Sequence, residues 1–228
     1  MIERLIENLR AQANPANVAG MARYGISSVG TLGVPVYILR AMARSIVKEV
    51  GRDHALAEAL WNSGIHEARI LATLIDDPAL VTARQMDLWA RDFDSWDVCD
   101  HACHNLFRYT PKAFAKAAQW APAKREFVRR AGFSIIAGLA VKAKTAPDKQ
   151  FVAFLPLIAE AASDDRNMVK KSVNWALRQI GKRNRRLHKL AIAAAEEIRK
   201  QDSRSARWIA ADALRELRDP ATVGRIEG

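Results

Sequence analysis

Apolar residues return every three or four positions along most of the chain. Val98, Ala102 and Leu106 make one such row, and Val169, Val173, Ala176 and Ile180 make another. This is the period of an α-helix buried along one face. Runs that alternate apolar and polar residues, as half-buried strands do, are missing. Short breakers such as "NPAN", "GTLGVP", "DDP", "TAPD" and "SDD" cut the pattern into segments and supply turns or N-caps. The pattern predicts helices near 2–12, 16–24, 35–50, 53–62, 65–76, 82–92, 95–108, 111–119, 123–144, 148–162, 165–182, 185–200 and 203–218.

From about residue 53 these helices fall into five antiparallel pairs of roughly 30–40 residues, the length of HEAT-like helical repeats. No low-complexity linker separates two bodies. The expected fold is all-α, a single domain over 1–228. It is a curved α-solenoid of HEAT-like antiparallel helix pairs, with 1–50 as N-terminal capping helices and 51–228 as about five pairs. The second helix of each pair would line the concave side, which brings forward 65–76, 95–108, 123–144, 165–182 and 203–218.

Composition narrows the class. Half of the 228 residues are hydrophobic, which argues against disorder. Two cysteines, Cys99 and Cys103, make no disulfide framework and suit a reducing compartment. "MIERLIENLRAQ" is amphipathic and carries Glu3 and Glu7, unlike a secretion signal, and no apolar run reaches membrane-spanning length. The expectation is a soluble cytoplasmic monomer, associated with the nucleoid if bacterial.

Charge adds a direction. The net formal charge is +11, yet residues 1–120 hold 13 basic and 13 acidic side chains, against 23 and 12 afterwards. A one-sided excess points to a polyanion. Nucleic acid ranks ahead of an acidic membrane, since no lipid-seeking helix stands out.

Three helices carry candidate chemistry. In "RNMVKKSVNWALRQIGKR" Trp175 lies off the buried row and aligns with Lys171, Arg178 and Lys182. Two readings fit: a nucleic-acid face where cations meet phosphates and the ring meets sugar or base, or a tryptophan packed under a neighbour beside solvated charges. In "FDSWDVCDHACH" Trp96, Asp100, His104 and Phe107 form a row away from the presumed core, while Asp97 reads as a solvated first-turn acid. Cys99, Asp100, His101, Cys103 and His104 invite zinc. No second Cys or His pair completes a tetrahedron, however, so no metal site is expected and the cysteines read as small core residues. The same scarcity disfavours Cys–His or Ser–His–Asp catalysis. In "FVRRAGFSIIAGLAVKAK" Arg129 and Arg130 sit at the margins of a buried row, as phosphate clamps or as solvated charges. Trp61, Trp89, Trp120 and Trp208 read mainly as packing between helices, with Trp208 also able to touch DNA.

Taken in order, "GVPVYILRAMAR", "ALWNSGIHEARILATLI", "WDVCD", "FVRRAGF" and "VKKSVNWALRQIGKR" resemble the AlkD-type DNA alkylation repair family of HEAT-like repeat DNA glycosylases. The resemblance spans most of the chain. It implies hydrolysis of the N-glycosidic bond of N3- or N7-alkylated purines in duplex DNA, with no cofactor. By motif it brings Trp96 and Asp100, Arg130 and Trp175 forward as the catalytic set. Arg129, Lys170, Lys171, Arg178, Lys182, Arg183, Arg185 and Arg186 would contact DNA. A non-catalytic solenoid binding unusual DNA or RNA structure would use the same cations.

Overall fold

The computed structural model describes residues 1–226, and no strand occurs among them. The chain forms two compact units, the first Met1–Pro111 and the second from Lys112 onward.

The first unit holds α1 (Ile2–Ala11), α2 (Pro15–Ala22), α3 (Val36–Val50), α4 (His54–Asn62), α5 (His66–Ile75), α6 (Ala83–Arg91) and α7 (Trp96–His101). Starts are written in the sequence. Asn14 accepts from the Ala16 amide at 3.1 Å with Pro15 in the first turn, Asp53 from Leu56 at 2.9 Å, and Thr82 from Gln85 at 3.1 Å. Helix α5 is buried on nearly every side, and packs on α3 and α4. Trp61 and Trp89 stack at 4.0 Å with planes 4° apart, which locks α4 to α6.

A buried acid fixes the long link between α2 and α3. Glu67 is 1 % exposed, and its carboxylate accepts from the amides of Leu32 (2.9 Å), Gly33 (2.6 Å) and Val34 (3.2 Å). Gly33 has φ +80°, and a Cβ there would meet the Asn14 carbonyl oxygen at 2.3 Å, so no other residue fits.

The second unit holds α8 (Ala113–Trp120), α9 (Glu126–Lys142), α10 (Asp148–Val152), α11 (Leu155–Ala161), α12 (Asn167–Gly181), α13 (Arg185–Arg199), α14 (Arg204–Leu217) and α15 (Pro220–Val223). Helix α9 is buried from Arg130 to Ala140 and packs on α8 and α12. At Gly132 a Cβ would lie 2.7 Å from the Ala121 nitrogen, so the backbones of α8 and α9 meet there. Helix α12 packs in turn on α13 and α14.

Two of the expected helices are broken. Residues 148–162 divide into α10 and α11 because Pro156, in the first turn of α11, has no N–H to give the Val152 carbonyl. Residues 95–108 run as α7, then a π-helical turn (Ala102–Leu106), then a 3-10 turn (Phe107–Tyr109). The wide turn changes the rotation per residue, so Phe107 leaves the outer row and points inward. It is fully buried, 6.2 Å from Trp89.

Candidate functional site

In the first unit α7 presents Trp96 and Asp100 one turn apart, both half-buried, while Val98 and Cys99 face the core. The indole is held by the link before α3: Trp96 Nε1 donates to the Tyr24 carbonyl at 3.0 Å. Beside it, the Ser27 amide donates to Ser95 Oγ at 3.4 Å. The helix itself is pinned from below. Asp97 is 8 % exposed, and accepts from His66 Nε2 at 2.8 Å. Burial opposes a charge on His66, but the hydrogen bond and negative charge of Asp97 prevail and raise its pKa above the ordinary 6.5. Asp97 is therefore a buried anchor between α5 and α7 and not a solvated acid. His101, by contrast, is driven below 6.5 by burial, against the pull of Asp97 and Asp100.

Just past Asp100 the π turn brings His104 to a groove of about 670 Å³, lined also by Arg52, Leu74, Asn105, Arg108 and Tyr109. Arg52 and Leu74 are shared with a second hollow of about 460 Å³ along α3. There the sequence reading missed a feature. Arg40, Arg44, Lys48 and Arg52 recur every four residues and all four are exposed. Their spacing was legible, but the even charge balance of residues 1–120 hid them.

In the second unit Trp175 is half-buried on α12. With the Gln179 amide oriented to satisfy its neighbours, its oxygen accepts from Trp175 Nε1 at 3.2 Å and from Lys182 Nζ at 3.3 Å. Arg130 is 6 % exposed, and its Nη1 donates to the Met168 carbonyl at 2.7 Å, bracing α9 against the start of α12.

The remaining cations divide sharply. Arg129 donates to Asp164 at 3.0 Å, an acid that Arg166 also holds. Burial raises the Asp164 carboxyl, but the Arg166 hydrogen bonds outweigh it and keep it below the ordinary carboxylate range. Arg178 and Lys182 both bond Glu216 of α14, and Arg178 lies 3.8 Å from Asp212. Glu216 is likewise lowered by those two cations in spite of burial. Arg183 is a strut: its guanidinium donates to the carbonyls of Ala140, Ala143, Lys144 and Ala146 at 2.6–3.1 Å and lies 4.3 Å from the Phe151 ring centre. Lys170 turns to Trp208. Lys171, Arg185 and Arg186 are exposed.

Among the described residues no group of three or more His, Cys, Asp or Glu side chains could hold a metal ion, and no helix is long and apolar enough to cross a membrane. Cys99 and Cys103 are free and buried.

The family model described as "DNA alkylation repair enzyme" matches residues 5–217. The chain belongs to the DNA alkylation repair enzyme family. Comparison with curated proteins finds no match. A solved structure is described as a new family of proteins related to the HEAT-like repeat DNA glycosylases with affinity for branched DNA structures. It aligns with a TM-score of 0.74 at 18 % identity, covering 94 % of each chain. The DNA alkylation repair chain thus has the HEAT-like repeat helical fold. Consecutive helices that pack on each other include α4 and α5 in the first unit, and α8 and α9, α11 and α12, and α13 and α14 in the second.

Proposed function

We propose that this member of the family is a monofunctional DNA glycosylase acting on cationic N3- or N7-alkylated purines in duplex DNA. The reading is supported chiefly by one observation: within a family match over 5–217, Asp100 sits half-buried one turn from Trp96 on a helix anchored by the His66–Asp97 pair.

The chemistry asks little of the protein. An alkylated purine with a positive ring leaves as a neutral base and needs no general acid, so one of the two carboxylates of ordinary glycosidases is dispensable. The N-glycosidic bond breaks with its electron pair going to the purine nitrogen. Water adds to C1′, and its proton passes to the Asp100 carboxylate. Before that, the same carboxylate stabilises the oxocarbenium charge on the sugar. Trp96 offers its ring face to the cationic lesion, worth roughly 0.5–2 kcal/mol. The cations of α3 and the exposed Lys171, Arg185 and Arg186 hold the duplex backbone.

The test is release of free base from duplex DNA bearing N7-methylguanine or 3-methyladenine. The expected result is release by the wild type and a loss of at least about 100-fold in Asp100→Asn, with duplex affinity unchanged. No release beside an active positive control defeats the enzyme reading, and full activity in the variant removes Asp100 from its role. A second reading draws on the neighbour's described affinity for branched DNA structures: this chain binds unusual DNA without cleaving it. That reading predicts structure-selective binding indifferent to Asp100.

A further inference from the structure

Three of the remaining tryptophans are packing residues, and one is not. Trp61, Trp89 and Trp120 are at most 4 % exposed, whereas Trp208 is 41 % exposed. Helix α14 buries Ala206, Ile209, Ala210, Ala213 and Leu217. Trp208 stands on the opposite face, with exposed Arg204, Arg207 and Arg215. Lys170 reaches across from α12 and sets its Nζ 4.9 Å from the indole centre, and Lys171 beside it is exposed. The acid nearest along the helix, Asp212, is taken up by Asn174 at 2.6 Å and by Arg178 and Arg215. An indole left in water forgoes the stabilisation of burial. An ammonium over its face holds the ring in one orientation and brings positive charge to its edge.

We infer that Trp208, flanked by Lys170, Lys171 and Arg204, is a stacking platform for an unpaired nucleotide of single-stranded DNA. Bases within a duplex have both faces covered by neighbours, so an indole can stack only on a base already out of the helix. The surrounding cations neutralise the phosphates on either side of that base. Stacking uses the π-face that every base has, so the platform is sequence-tolerant. The site requires neither Asp100 nor a damaged base, and it stands apart from the glycosylase reading.

Binding of the full chain is measured by fluorescence anisotropy on a blunt duplex and on the same duplex carrying a twelve-thymidine overhang (about one site size). The wild type is expected to prefer the overhang. Trp208→Ala should weaken overhang binding about tenfold, with blunt-duplex binding changed less than about twofold, and Trp208→Phe should keep most of the preference. Photocrosslinking with 5-bromodeoxyuridine in the overhang should label Trp208 in the wild type, a measurement independent of any variant's folding. The Asp100→Asn protein should give wild-type values throughout, which separates this result from the fate of the excision reading. A wild type without overhang preference overturns the platform. So does an equal loss on both DNAs in Trp208→Ala, or crosslinks that map elsewhere.

Discussion

Two helices carry cations at helical spacing, and they differ in what lies opposite. On α3 in the first unit, Arg40, Arg44 and Lys48 are exposed along a hollow whose walls are Ala43, Val47, Leu74 and one further cation, Arg52, and no acid among the described residues lines it. On α12 in the second unit, Arg178 and Lys182 close on Glu216, with Asp212 behind it. Net charge ranks the two units the other way, since the excess of +11 arises after residue 120. A cation already sharing a carboxylate must give up that partner to meet a phosphate, whereas one facing water exchanges only solvent and counterions. The number of cations therefore says less about a nucleic-acid face than their freedom does.

The largest expected effect breaks this comparison if it is wrong. Replacing Arg40, Arg44 and Lys48 together by alanine should lower duplex affinity on the order of 100-fold at moderate salt and reduce the slope of log K against log salt by about 3. The matched Arg178→Ala, Lys182→Ala double variant should lose no more than about threefold, because both cations already share carboxylates, Glu216 and Asp212, and have little charge left for the backbone. Salt titrations by anisotropy read both, and the reverse ranking would refute the argument.

Next in size is the buried acid of the first unit. Asp97→Asn leaves His66 without its charged partner and should cost about 2 kcal/mol in thermal or urea unfolding. Because the folded pKa of His66 is raised, its contribution is complete below 6.5 and is lost as pH climbs through the raised value. Wild-type stability should thus fall as pH rises from 6.5 through that raised value, and the variant should show a flatter profile there. A smaller loss, about 1.5 kcal/mol, is expected for Arg183→Ala, and Arg183→Lys should not restore it, because one ammonium cannot span four carbonyls.

These residues also mark where the sequence could be read and where it could not. Helices were legible because apolar period and breakers agree: Asn14, Asp53, Thr82, Asn184 and Ser203 all cap where their residue type suggests. The pairing of Trp96 with Asp100 on one face followed from a spacing of four. The π turn had no such mark, and it turned Phe107 inward. Asp97 looked solvated because its partner, His66, lies 31 residues away. Arg183 looked like a phosphate ligand because the carbonyls it caps belong to the hairpin before its own. Local periodicity specifies which face of a helix is apolar. It does not say which distant side chain meets the polar face.

The smallest effect sharpens the comparison most directly. Glu216→Gln removes the acid that Arg178 and Lys182 share and leaves both cations in place. Duplex affinity should rise about threefold, and the salt slope should steepen by between one and two, as each released cation gains a phosphate. Acid should do the same to the wild type in its own way. The folded pKa of Glu216 is depressed, so the ion pair persists above the ordinary carboxylate range and is lost only as pH falls through the lowered value. At neutral pH, then, the substitution alone can open the face. An unchanged slope in Glu216→Gln would mean that α12 does not meet the backbone even when its cations are released, and would leave α3 as the principal phosphate-binding row of the two.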